Sequence, residues 1–271
     1  MSGHIGPIRL VAIDLDGTLL NDAKKVGDGT ALALTALSHA GVRVVIASAR
    51  PPRSVRQVYL SLELNTLQIN YNGALIWDEP GKRVAFHRPL SGNVVRAIIE
   101  DARRQHDSIL VSCEVMDRWY TDRDDHKYTT ETGRLFRPDV IAPIDVMCNQ
   151  DITKLMLLGD SQTITRLNAS IVERFAGQVV TVQTDQTLLQ IMHPRVGKSA
   201  ALQMVLAHYK IPAANMMAIG DAPNDVGMLQ LAGVAVAMDN AYSVVKSVAH
   251  WVAPSNNDHG VLAALRRYGL A

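Results

Sequence analysis

Arg9-Leu10-Val11-Ala12-Ile13-Asp14-Leu15-Asp16-Gly17-Thr18-Leu19-Leu20 decides how this chain folds. Its near-continuous apolar run predicts a buried parallel strand, ending abruptly in two carboxylates two residues apart and a Gly-Thr turn. Carboxylates at the C-terminal end of a central strand sit where open α/β sheets bind their ligands. Two acids so close repel each other unless a cation lies between them or one holds a proton. The pattern points to a divalent metal and to a carboxylate that acts as nucleophile or proton shuttle. By itself the stretch also reads as a strand ending in an ordinary Asp-Gly turn.

Three later segments weigh against that plain reading. Val42-Arg43-Val44-Val45-Ile46-Ala47-Ser48-Ala49-Arg50 is a second buried strand, closing on a hydroxyl. Ser48 and the backbone N–H groups after it suit a phosphate oxygen. Lys198, in Arg195-Val196-Gly197-Lys198-Ser199, stands where an apolar helix begins. Met216-Met217-Ala218-Ile219-Gly220-Asp221-Ala222-Pro223-Asn224-Asp225 is again a strand that ends in acids. Each has a bland alternative: Ser48 as an N-cap, Lys198 as a solvated first-turn lysine, Asp221 and Asp225 as turn formers. Their order along one chain is the stronger signal.

Asp14-Leu15-Asp16-Gly17-Thr18, Ser48, Lys198 and Gly220-Asp221-x-x-Asn224-Asp225 resemble the four motifs of the haloacid dehalogenase-like (HAD) hydrolases. Tyr71-Asn72-Gly73-Ala74, Ala235-Val236-Ala237-Met238-Asp239-Asn240-Ala241 and Pro254-Ser255-Asn256-Asn257-Asp258-His259-Gly260-Val261 are similar to marks of the Cof-type branch, subclass IIB. The resemblance covers the first and last thirds by motif and the middle by length and pattern. Departures are small. Ser48-Ala49-Arg50 stands where Thr-Gly-Arg is usual, and Ser199 follows Lys198 where glycine is usual. Pro223 replaces a commonly acidic or polar residue, and His259 an acidic residue or glycine. None removes a group the chemistry needs; Ala49 alone touches the phosphate-binding backbone.

Composition is compatible with this. A hydrophobic fraction of 48% supports full cores, and a net charge of +1 argues against nucleic acid as a partner. Two cysteines, Cys113 and Cys148, make no disulfide framework and read as reduced, buried residues. No secretory signal is visible, and no apolar run approaches the ~18 residues of a membrane span. The expectation is a cytoplasmic protein away from membranes.

Between Asp14 and Ser48 there is room for one crossover helix and the next strand. Between Ser48 and Lys198 there is far more chain than one βα unit requires, so an inserted domain is expected. By resemblance it is a C2-type cap, α/β with an antiparallel sheet, over residues 83–192; the core is 1–82 and 193–271. Helices at 93–105 and 163–175 and strands at 108–114, 118–121, 152–159, 178–184 and 187–192 are predicted in it. The stretches 78–83 and 193–197 read as hinges because of Pro80, Gly81, Pro194 and Gly197. Alternating strands and helices after residue 198 imply a doubly wound parallel, Rossmann-like core sheet, with Asp14, Ser48 and Asp221 on one edge.

The resemblance implies a chemistry. Asp14 attacks phosphorus and forms an aspartyl-phosphate; Asp16 protonates the leaving alkoxide and later activates water. Mg²⁺ is the implied cofactor, held by Asp14 and Asp221 and by the Asp16 backbone carbonyl, with Asp225 as a further ligand or in the outer shell. Lys198 neutralises phosphate oxygens, while Ser48, the Ala49 amide and Asn224 donate hydrogen bonds to them. Arg50 reads equally as a phosphate or cap contact and as a solvated strand-end residue. His193 reads as structural before it reads as a substrate contact. Trp119 and Tyr120 read as core packing, as do Met216, Met217, Met228 and Met238. The mixed-sign run 122–127 reads as a solvated loop rather than a metal cluster.

A Mg²⁺-dependent phosphatase of small phosphorylated metabolites, sugar phosphates foremost, is the leading expectation. A sugar phosphomutase of the same fold is the alternative, and a catalytically retired binding protein stands behind both. Discrimination among substrates is expected from the cap, where the resemblance has no residue-level motif. Substrate identity and oligomeric state are not legible in the sequence.

Overall fold

The computed structural model describes residues 7–125, 127, 128 and 130–271. His126, in the mixed-charge run, and residues 1–6, where a signal segment would begin, lie outside the described residues. The chain starts with β1 (Leu10–Asp14), α1 (Asp28–His39), β2 (Arg43–Ala47), α2 (Pro52–Ser61), β3 (Leu67–Asn70), β4 (Leu75–Asp78) and β5 (Arg83–His87). It continues with α3 (Gly92–Gln105), β6 (Leu110–Val115), β7 (Arg118–Thr121), α4 (Glu131–Leu135), β8 (Val140–Ile141) and α5 (Ile144–Cys148). Then come β9 (Lys154–Leu158), α6 (Ser161–Arg174), β10 (Val180–Asp185) and β11 (Leu188–Met192). The last stretch holds α7 (Lys198–Tyr209), β12 (Met216–Gly220), α8 (Val226–Leu231), β13 (Val234–Met238), α9 (Ser243–Lys246), β14 (Trp251–Ala253) and α10 (Gly260–Arg267). Two compact units result: the described residues to 85 with 197–271, and residues 86–196.

The first unit is built on an eight-stranded sheet in the order β14-β13-β12-β1-β2-β3-β4-β5. β14, β13, β12, β1, β2 and β3 run parallel, as the α/β alternation predicts. Every residue of β1, β12 and β13 is buried, the mark of strands covered on both faces. Met216, Met217, Met228 and Met238 all pack in this core. In register, Asp14 lies opposite Ala47 and Ile13 opposite Ile219, so Ser48 and Asp221 leave the sheet at the same edge as Asp14.

One expectation fails here. Residues 78–83, read as a hinge, form the turn of a hairpin between β4 and β5, which extends the core sheet beyond the antiparallel β3–β4 pair. Gly81 N–H donates to Asp78 Oδ1 at 3.1 Å, and the buried Glu79 anchors the turn through the Trp77 indole N–H at 2.7 Å. Pro-Gly suits a tight turn as well as an irregular linker, so composition alone could not separate the two.

The second unit carries a six-stranded sheet, β10-β11-β9-β6-β7-β8, antiparallel except for β7–β8. One face bears Val111, Cys113, Tyr120, Leu155, Leu157, Leu189 and Ile191, packed with Val95, Ile98, Ile99 and Ala102 of α3 and Ile164, Leu167 and Ile171 of α6. The α3 residues recur at helical spacing, and each large one contributes roughly 1.5–3 kcal/mol by leaving water. Asp160 caps α6 by accepting from Thr163 N–H at 2.9 Å, which starts that helix ahead of its expected position. Cys113 and Cys148 are free and buried. Tyr120 packs in this core as expected, and Trp119 packs against a second small cluster of Leu110, Met156, Leu158 and Leu188, where it also lines a small cavity with Tyr128 and Phe136.

Candidate active site

The site grows from the ends of β1 and β12. Asp14, the last residue of β1, and Asp221, just after β12, are both buried, and Asp225 is fully buried in the turn that follows. Ligand oxygens of these three lie within 4.8 Å of one another. Lys198 opens α7 with its ammonium buried among them, donating to Asp14 Oδ1 and, at 2.6 Å, to Asp225 Oδ1. Asp225 Oδ2 accepts the N–H groups of Asp221 and Ala222, each at 3.0 Å. Asp225 thus holds the lysine with one oxygen and its own turn with the other. Thr18 Oγ1 donates to Asp221 Oδ1 at 2.7 Å.

Two glycines make this closeness possible. Gly17 has φ +78°, and a Cβ there would lie 2.5 Å from Asp221 Oδ2. Gly73 has φ +100°, and a Cβ there would lie 2.4 Å from the carbonyl oxygen of Gly197, the residue before Lys198.

Electrostatics follow from burial. Burial raises the Asp14 carboxyl, Lys198 opposes it, and the Asp225 and Asp221 carboxylates add to the rise; it ends well above the ordinary carboxylate range. Asp221 is raised by burial and by Asp225 against the Thr18 hydrogen bond. Burial alone would lower Lys198, but Asp14 and Asp225 outweigh it and hold the ammonium charged.

This arrangement fits Mg²⁺. The donors are all oxygen, as a hard cation prefers, and three buried carboxylates face a single buried ammonium. A cation between Asp14 and Asp221 would offset the burial and the nearby Asp225 charge that raise both. Asp225 is less open to it, with both oxygens already engaged.

The other expected site residues group around this cluster. Ser48 is buried directly after β2, its Oγ accepting the Arg50 N–H at 3.1 Å, and Ala49 lies between them, half-buried. Asn224 Nδ2 donates to Asn72 Oδ1 at 2.9 Å. Asp16 stands apart from the three acids and makes ion pairs with Arg50 and Lys24. His193 Nδ1 accepts the Arg195 N–H at 3.1 Å in a local turn.

Several supporting residues had no role in the sequence reading. Thr18 and Lys24 are two. Asn240 Nδ2 donates to the Gly17 carbonyl at 2.8 Å, and its Oδ1 accepts the Asn256 N–H at 3.0 Å. Asn256 Nδ2 reaches the Leu20 carbonyl at 3.0 Å, and Asn257 holds Asp22. The asparagines stand inside the quoted segments, but nothing local to them points to the loop they tie down.

Comparison with known proteins places this geometry. The family description "haloacid dehalogenase-like hydrolase" matches residues 11–265. A Bacillus subtilis (strain 168) protein named 5-amino-6-(5-phospho-D-ribitylamino)uracil phosphatase YitU is 27% identical over 265 residues, spanning 96% of this chain and 97% of its own. A Cronobacter sakazakii protein named HMP-PP phosphatase is 29% identical over 233 residues, spanning 86% and 85%. The crystal structure of TM0651 from Thermotoga maritima aligns at TM-score 0.88 with 27% identity, over 96% of this chain and 97% of that one. The matched stretch takes in both motif-bearing ends of the chain and every residue of the buried cluster, and the chain belongs to the haloacid dehalogenase-like hydrolases.

Proposed function

We propose that the protein is a Mg²⁺-dependent phosphatase of small phosphorylated metabolites, sugar phosphates foremost, working through an aspartyl-phosphate on Asp14. The observation that carries this is the buried cluster of Asp14, Asp221, Asp225 and Lys198 at the C-terminal edge of a parallel sheet. The two curated relatives described above are named as phosphatases, which supports the same reaction class.

A carboxylate oxygen of Asp14 attacks phosphorus in line with the leaving alcohol, and the phosphorus–oxygen bond to that alcohol breaks. Asp16, held charged by Arg50 and Lys24, must leave them and take up a proton before it can give one to the departing alkoxide. It then takes one from the water that attacks the aspartyl-phosphate, releasing inorganic phosphate and regenerating Asp14. Lys198 supplies a fixed positive charge to the phosphoryl oxygens. Ser48 Oγ already accepts the Arg50 N–H, so its proton is available to a phosphate oxygen, beside the Ala49 N–H. Asn224 keeps one side-chain N–H beyond the one given to Asn72. Asp14, Asp221 and the Asp16 carbonyl would hold Mg²⁺, with Asp225 supporting them through Lys198; the bound ion would offset repulsion between Asp14 and the phosphate. In this reading residues 83–192 are the cap that selects the substrate, and 1–82 with 193–271 are the catalytic core.

The test is release of inorganic phosphate from a panel of sugar phosphates and a chromogenic ester, with Mg²⁺ and with EDTA. Metal-dependent release, absent in Asp14→Asn, is the expected result. No release from the intact protein under any condition would overturn the proposal.

A further inference from the structure

Tyr71, Asn72 and Gly73 have consecutive positive φ angles, at 49°, 55° and 100°. Asparagine tolerates this region and glycine occupies it freely, but tyrosine does so only under constraint. Such strain persists where the surroundings over-determine the backbone, and it clusters at functional sites. The surroundings here are those of the phosphate-handling residues. Tyr71 N–H donates to the Arg50 carbonyl at 3.3 Å, and Asn72 N–H donates to the Ser48 carbonyl at 3.0 Å. Asn72 Oδ1 accepts from Asn224 Nδ2 at 2.9 Å. Gly73 closes against Gly197, next to Lys198. One strained turn therefore meets the Ser48 strand end, the Asn224 turn and the start of α7.

We infer that Asn72 is a positioning residue for the phosphoryl group, an inference that rests on the phosphatase reading. Its backbone steadies Ser48. Its side chain fixes the plane of the Asn224 amide, directing the remaining Asn224 N–H at a phosphate oxygen. Glycine at this position keeps the backbone and loses the acceptor, so Asn72→Gly separates the two contributions without forcing the turn.

The experiment is a double-mutant cycle of Asn72→Gly and Asn224→Ala in the full chain. It reads kcat/KM on a chromogenic phosphate ester and the rise in melting temperature caused by inorganic phosphate with Mg²⁺. Asn72→Gly should lower kcat/KM by about tenfold, the scale of one neutral hydrogen bond, and shrink the phosphate-induced shift. The double variant should be no worse than Asn224→Ala alone, because Asn72 acts through Asn224. Independent, additive losses would overturn the inference, as would an Asn72→Gly protein indistinguishable from wild type. A wild-type protein that is stabilised by phosphate but hydrolyses no ester would overturn the phosphatase reading instead. The phosphate-induced shift would then still decide the role of Asn72.

Discussion

Arg50 grips Asp16 at two points, Nε to Oδ2 at 2.6 Å and Nη2 to Oδ1 at 2.5 Å, with Lys24 Nζ on Oδ1 at 2.9 Å. Burial would raise the Asp16 carboxyl, but hydrogen bonds and charge from Arg50 and Lys24 outweigh it and hold it below the ordinary carboxylate value. The fork fixes the plane of the charged carboxylate, the form that takes a proton from the attacking water, and it must open for Asp16 to carry a proton to the leaving alkoxide. Lysine cannot reproduce a two-point contact. Arg50→Lys should lower kcat/KM on alkyl phosphates by about tenfold to a hundredfold, the scale of a mispositioned acid–base group. Hydrolysis of p-nitrophenyl phosphate, whose leaving group needs no proton, should suffer much less. Equal losses on both substrates would refute the assignment.

Asp14→Asn removes the proposed nucleophile and one of three crowded carboxylates. Turnover should fall by at least ~10³-fold. Thermal stability without divalent cation should hold or rise, because the carboxyl is forced upward by burial and by its acidic neighbours. A variant that melts well below wild type would show that Asp14 is chiefly a structural partner of Lys198.

Lys198→Met leaves Asp14 and Asp225 buried without their cation. Breaking a buried pair from one side costs about 3–5 kcal/mol, so urea denaturation in EDTA should show a loss of that order. Phosphate release should disappear with it. Undiminished stability would mean that the two carboxylates take up protons at little cost.

Mg²⁺ should raise the melting temperature of the wild-type protein, by the equivalent of about 2.7 kcal/mol at a concentration a hundred times its dissociation constant. Asp221→Asn should abolish the shift. Gly17→Ala should weaken it too, since its Cβ would press on Asp221 Oδ2 from 2.5 Å. A shift unchanged in Asp221→Asn would place the cation elsewhere.

His87 contributes a pH dependence of its own. Burial holds its imidazole below the ordinary value of 6.5, against a smaller pull from Asp151, and Nε2 lies 2.8 Å from Thr153 Oγ1. As pH falls through 6.5, the unfolded chain takes up a proton that the folded ring still refuses. The unfolded state binds more protons in that window, so stability rises with pH across it and is lost on acidification. His87→Gln should flatten this part of the profile, measured by urea melts between about pH 5 and 8. An unchanged slope would assign the dependence to other groups.

The legible part of this protein is its repeated grammar of apolar strand followed by acid or hydroxyl. Runs such as Leu10–Asp14 and Met216–Gly220 are buried on both faces, so their composition alone marks them as central strands. Residue chemistry at their ends singles out Asp14, Ser48 and Asp221 as candidates. The second unit was legible in the same way, through helical and alternating periodicity, but only where its elements are regular. The α4, β8 and α5 segments are short, and none was predicted.

Tertiary structure decided the rest. Thr18 and Asp221 are hydrogen-bonded across 203 residues of chain, and Asn240 reaches Gly17 across 223. No periodicity carries such a pairing, because it depends on strand register and on which side each crossover returns. The hairpin at 78–83 has the same cause, since Pro-Gly is a turn or a linker according to what the flanking residues can pair with. Sequence also names three acids without saying which oxygens they keep free. That Asp225 spends both of its own on Lys198 and on two backbone amides is a property of the packed turn. Local pattern sets which groups are present and where their strands end; distance, burial and shared protons are set only when those strands lie side by side.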